Sequence, residues 1–133
     1  MSRSIEELVE AIQSHEAELN RTAVEADRLG SAPVSLVNIM RTIKVPMVKA
    51  PAEVGGDNLT LSEQVEFFAA LSYANATAGW VGFNHAGAAS IAAAKLPAKG
   101  FAEIFSDDAV PFFAGVAAPT GQYKTTDGGV VVS

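Results

Sequence analysis

Two side chains in this sequence normally titrate near neutral pH, His15 and His85. His15 opens the run HEAEL, the beginning of a zinc-protease pattern that needs a second His four residues on. That position is Leu19, so the pattern fails, and His15 reads as a surface residue of the first helix. His85 stands beside Asn84 in the apolar stretch ATAGWVGFNHAGAASIAAA, Ala76 to Ala94. If buried, both need hydrogen-bond partners. They fit either a satisfied core pair or two polar groups lining a ligand cavity, and the second reading makes Asn84 and His85 candidate substrate contacts. Trp80 is the one tryptophan and is flanked by Gly79 and Gly82. It fits either a core aromatic or an indole laid against a flat ligand in the room the glycines leave.

Other chemistries are excluded by residue type. There is no cysteine, which removes disulfides, thiolate catalysis and cysteine-ligated zinc or iron–sulfur sites. Gly55-Gly56 lacks the Lys-Ser/Thr that completes a phosphate loop and reads as a turn. Glu103 and Asp107-Asp108 sit near a helix end and read as solvated. No nucleophile–base arrangement can be assembled, so no catalytic residue and no metal site is assigned. The formal net charge of −6 argues against nucleic acid as a partner.

The elements that carry these residues follow from periodicity. The chain has 133 residues, 49% of them hydrophobic and 18% charged, a globular composition. Ser4 and Glu7 have capping-box spacing, and Ile5, Leu8, Val9 and Ile12 mark one helical face. Leu19, Ala23 and Ala26 continue that face, and Gly30 stops the helix. Pro33 suits the first turn of a second helix with Leu36, Val37 and Met40 inward. A loop spans Val45 to Asn58. Thr60 and Glu63 cap a third helix, with Leu61, Val65, Phe68 and Leu71 toward the core. The chain restarts near Asn75-Ala76-Thr77, with Thr77 a candidate cap for the apolar fourth helix.

That fourth helix is nearly long enough to span a membrane. Asn84 and His85 at its middle, and its Ala and Gly content, point instead to a buried helix packed closely by neighbours. The start MSRSIEELVE has no apolar stretch and is no secretory signal, which places the chain in the cytoplasm. Pro97 opens a fifth helix, AKGFAEIF. From Val110 the pattern turns to strands: one over 110–117, a turn at Pro119-Thr120-Gly121, a second strand, a turn at Asp127-Gly128, and a third. Five helices followed by strands give a mainly α chain. Its expected units are a helical one at 1–109 and the start of a β domain at 110–133.

The order EADRLGSAP, VPMVKAPAEVGG, LSYANATAGW and GVAAPTGQYKTTDGGVVVS resembles the N-terminal half of the acyl-CoA dehydrogenase superfamily. It is most similar to the two-component flavin monooxygenases that hydroxylate aromatic compounds. The matching positions are Asp27-Arg28 with Pro33, Val45-Pro46 with Gly55-Gly56, and Thr77 with Trp80. Ala118-Pro119-Thr120-Gly121 with Gly128-Gly129 and Ser133 complete them. The resemblance covers essentially the whole chain.

The resemblance implies an N-terminal helical domain of acyl-CoA dehydrogenase-like fold, followed by the first strands of a middle β domain, in a chain shorter than the family's. It implies a flavin cofactor, FAD or FMN, in a longer parent, and a homo-oligomer, dimer or tetramer. Carried over residue by residue, the implied flavin contacts are Trp80, Ala117, Ala118, Thr120 and Gly121. The segment Ala117-Ala118-Pro119-Thr120-Gly121-Gln122 departs from the Thr-Glu-Pro and Gly-Ser-Asp of acyl-CoA dehydrogenases and favours the hydroxylase branch. Phenol hydroxylases often carry a His eight residues after the Trp. Here that substrate-side position is Ala88, with His85 nearby, which argues against a phenolic substrate. The resulting expectation is a parent monooxygenase using reduced flavin and O₂ on a hydrophobic or aromatic substrate. The alternatives are an acyl-CoA dehydrogenase acting on an acyl thioester with FAD, and a non-catalytic helical interaction module.

Overall fold

The computed structural model describes residues 2–106, 110–115, 118 and 121–133. Among these, six α-helices precede one hairpin: α1 Ile5–Ser14, α2 Glu16–Leu29, α3 Val34–Ile43, α4 Leu61–Ala74, α5 Ala76–Lys95 and α6 Ala98–Ile104. The hairpin pairs β1 Tyr123–Thr126 with β2 Gly129–Val132 in antiparallel register, Thr126 opposite Gly129 across the turn at Asp127-Gly128. The chain is thus mainly helical with two short strands near its C-terminal end, as the order of patterns implies. Among the described residues no helix is long and apolar enough to cross a membrane.

Both expected capping boxes form. Ser4 Oγ accepts from Glu7 N while Glu7 Oε2 accepts from Ser4 N, and Thr60 and Glu63 repeat the exchange. Gly30 ends its helix at φ 64°, a left-handed cap that a Cβ would strain. Pro33 is the N-cap of α3.

Four expectations are corrected. The helix expected from Ile5 to Gly30 is two, because the chain breaks at His15 (φ −108°, ψ 8°). His15 Nδ1 donates to Ala11 O at 2.9 Å, and the half-buried ring packs back over the end of α1. Leu61 and Val65 are not core residues: they are 76% and 65% exposed, and α4 instead buries Phe67, Phe68, Leu71 and Ala74. Both stripes keep helical spacing, so only the packing decides which one faces in. Asn75, not Thr77, caps α5: its Oδ1 accepts from Ala78 N at 3.0 Å. Its Nδ2 donates to Leu19 O at 2.8 Å, anchoring the α4–α5 joint on α2. Finally, no strand forms over 110–115. Phe112 packs on the helical core, and Phe113 lies 6.1 Å from Phe105.

The core is built from Leu8, Ile12, Leu19, Leu36, Met40, Ile43, Val45, Val48, Phe67 and Leu71, all essentially sealed from solvent. Burying each such side chain contributes about 1.5–3 kcal/mol. Helix α5 crosses this core on its small residues Ala78, Gly79, Gly82, Ala86 and Ala89. A Cβ on Gly82 would stand 2.6 Å from Val45 Cγ1, so glycine is what lets the 45–58 segment approach.

That segment is more ordered than a loop. Short 3-10 turns occupy Val45–Met47 and Ala52–Val54. The backbone N–H groups of Asp57, Asn58 and Leu59 donate back to the carbonyls of Met47, Ala50 and Val48 at 3.0–3.1 Å. Asp57, nearly buried, takes Arg3 in a bidentate pair: Nε to Oδ1 at 3.1 Å and Nη2 to Oδ2 at 2.7 Å. Arg3 Nη1 also donates to Ile43 O, so the segment is clamped at both ends.

Candidate ligand groove along helix α5

The helix expected to be enclosed has an open face. Trp80, Asn84, Ala88 and Ile91 fall at i, i+4, i+8 and i+11, one side of α5. Trp80 is 72% exposed and Ile91 66%. The reading of Trp80 as a core aromatic is therefore corrected: the buried face of α5 is filled by Ala and Gly, which leaves the indole outward. The reading of Asn84 and His85 as a satisfied core pair is corrected too. Asn84 is exposed, and its Nδ2 donates to Trp80 O at 2.8 Å. That bond uses one of the two amide N–H donors and leaves the other and the acceptor oxygen unbonded among the described residues. His85 is half-buried, and its Nδ1 is enclosed without a hydrogen-bond partner among the described residues. An enclosed unpaired nitrogen costs free energy, on the order of 1–3 kcal/mol, and marks a place where a partner is expected.

Two hollows share this face. One, of about 330 Å³, is lined among the described residues by Trp80, Val81, Asn84, His85 and the 113–115 strip. The other, of about 350 Å³, is lined by Lys49, Phe83, Asn84, Gly87, Ala88, Ile91 and Gly115. Asn84 and Gly115 border both, so they form one groove in two lobes. Each lobe falls within the ~300–1,000 Å³ usual for small-molecule sites.

The sequence reasoning missed three features of this groove. Residues 113–115, expected to be strand, form one wall. Phe112 behind them is held between His85, in an edge contact at 5.0 Å, and the Arg41 guanidinium, 5.0 Å from the ring centre. Lys49 enters from the clamped 45–58 segment, and its Nζ stands 3.8 Å from the centre of the Phe83 ring and 5.2 Å from that of Phe68. Burial pushes its ammonium below the ordinary lysine range. The available signal was the lysine itself, a charge inside the apolar run VPMVKAPA. Of the expected flavin contacts, Ala118 and Gly121 are exposed, and Ala117 and Thr120 lie outside the described residues, as does the rest of the turn at Pro119-Thr120. Asp107-Asp108 also lie outside them.

The fold has a solved counterpart. A structure of XiaF from Streptomyces sp., in complex with FADH2 and glycerol, superposes with a TM-score of 0.85 at 24% identity, covering 96% of this chain. This chain shares the fold of the part of XiaF on which it superposes. It spans about a third of the XiaF chain, 32% of its length. No protein-family model matches the sequence, and no curated protein does.

Proposed function

We propose that this chain is the N-terminal helical part of a flavin-dependent oxidoreductase, and that the open face of α5 is its wall of the ligand site. The observation that carries this reading is that face itself: an exposed indole, the Asn84 amide, Ala88 and Ile91 along one side of α5, with the His85 ring at the border of the same groove. The resemblance of the sequence to flavin monooxygenases of the acyl-CoA dehydrogenase superfamily supports it, and so does the XiaF fold, seen in that protein with FADH2.

The residues present fit a flat cofactor or substrate. Gly87 and Ala88 leave the groove floor low, Trp80 offers a broad apolar face, and the His85 ring lines the first lobe. Reduced flavin, when bound, supplies the electrons that activate O₂ for oxygenation of a hydrophobic or aromatic substrate. The chain's own part is to hold the ligand and keep water out. Trp80 and Phe113 close the apolar side, while the exposed Asn84 amide offers the ligand a polar contact. The 1–109 helical unit supplies this wall. In this reading residues 110–133 begin a β domain, and Ala117, Ala118, Thr120 and Gly121 are the proposed flavin contacts.

The experiment is to express the chain joined to the sequence that follows it in its gene and to titrate FAD and FMN by fluorescence. Flavin binding at micromolar or tighter, weakened by Trp80→Ala, is expected. A folded longer protein that binds neither flavin overturns the reading.

A further inference from the structure

Lys49 is the one groove residue whose charge has no counter-ion among the described residues. The single ion pair there is Arg3–Asp57. Its ammonium instead lies on the faces of Phe83 and Phe68, a contact that holds a cation in place without neutralising it. The segment that carries it cannot easily withdraw. It is cross-bonded through Asp57, Asn58 and Leu59, clamped to Arg3, and pressed on α5 at Gly82. The rest of its lobe is apolar or small, with Asn84 the one other polar side chain.

We propose that the Lys49 lobe is a binding site for an aromatic ring bearing a carboxylate, with the ring against Phe83, Ala88 and Ile91 and the carboxylate on Lys49 Nζ. This rests on the reading of the α5 groove as a ligand site and names the substrate class it takes. The chemistry follows from what the lobe lacks and what it offers. A neutral aromatic would leave a partly desolvated ammonium with no anion, whereas a carboxylate supplies one in a setting where charge-assisted hydrogen bonds are strong. Burial already pushes the Lys49 ammonium below its ordinary range, and a bound anion reverses that pressure. A lobe of about 350 Å³ suits a one- or two-ring acid and not a dinucleotide.

The test uses the full 133-residue chain with 2-naphthoate and its neutral analogue 2-naphthamide, each titrated by backbone amide NMR shifts. The naphthoate is expected to bind about 5- to 10-fold more tightly than the amide, the range for a partly exposed charge-assisted contact. Lys49→Met should abolish that preference, and Lys49→Arg should restore it. FMN and riboflavin titrated alongside separate a substrate carboxylate from a cofactor phosphate. If only the FMN preference depends on Lys49, the substrate assignment is wrong. Equal binding of acid and amide, binding of neither, or a preference that survives in a folded Lys49→Met chain also overturns the proposal. None of these outcomes touches flavin binding by the longer protein, so this inference and the proposed function fail separately.

Discussion

Gly82 and Val45 meet so closely that a Cβ on Gly82 would lie 2.6 Å from Val45 Cγ1 and 3.3 Å from Leu71 Cδ2. This contact seats the 45–58 segment on α5 and thereby sets Lys49 over Phe83. Gly82→Ala should destabilise the chain by about 1–3 kcal/mol through overpacking. Gly87, on the same helix with open space around it, is the control. There Gly→Ala should stabilise by about 0.5–1 kcal/mol through helix propensity. Urea denaturation of the two variants checks the contrast, and equal effects would refute the packing argument.

Asp57 and Arg3 close the other side of the segment. Asp57→Ala leaves Arg3 short of three bonds, one from its backbone N and two from the guanidinium Nε and Nη2. The expected loss is about 1–3 kcal/mol. Arg3→Lys should rescue little of the pair, because a single ammonium cannot reproduce the two parallel bonds. Chemical denaturation measures both variants, and a wild-type midpoint for Asp57→Ala would show that the clamp is idle.

The start of α4 gives stability a pH dependence. The Thr60 hydroxyl, at 2.6 Å, and the Thr60 N–H, at 2.7 Å, both donate to Glu63 Oε2 and hold that carboxyl below the ordinary 4.5. As pH falls, the unfolded chain takes up this proton first. The contribution is therefore complete above about 4.5 and disappears as pH drops through the lower folded value. Glu63→Gln should show a shallower loss of stability on acidification in that window. Identical acid profiles for the two proteins would remove the effect.

The hairpin should behave differently from the helices. Every residue of β1 and β2 is exposed, and a two-stranded hairpin alone is marginal in water. Amide exchange in dilute solution should be slow in the helical core and fast over Tyr123–Val132. Phe112, packed on the core, places the expected boundary after the 110–115 strip. Slow exchange of Val130 and Val131 in a demonstrated monomer would show a self-sufficient sheet.

Flavin itself gives a last check. The expected contacts from this chain are one wall and one turn, so the 133-residue chain alone should bind FMN and FAD more weakly than micromolar. Submicromolar quenching of flavin fluorescence would mean that the site is complete without further chain.

Local features of this protein were legible in the sequence because they rest on neighbours along the chain. The Ser4–Glu7 and Thr60–Glu63 boxes, the Gly30 stop, the Pro97 start and the Asp127-Gly128 turn are satisfied within a few residues of themselves. So is the mainly helical order with strands last. What needed the tertiary structure was the choice between equivalent faces. Leu61 and Val65 keep the same spacing as Phe67 and Leu71, yet one stripe is bare and the other sealed. On α5 both readings of Trp80, Asn84 and His85 agreed with the pattern until the Ala and Gly face was seen to take the core contacts. Lys49 was the hardest to foresee. Its place over Phe83 depends on residues more than thirty apart being brought together by Gly82, Asp57 and Arg3, and long-range approach of this kind leaves no period in a sequence.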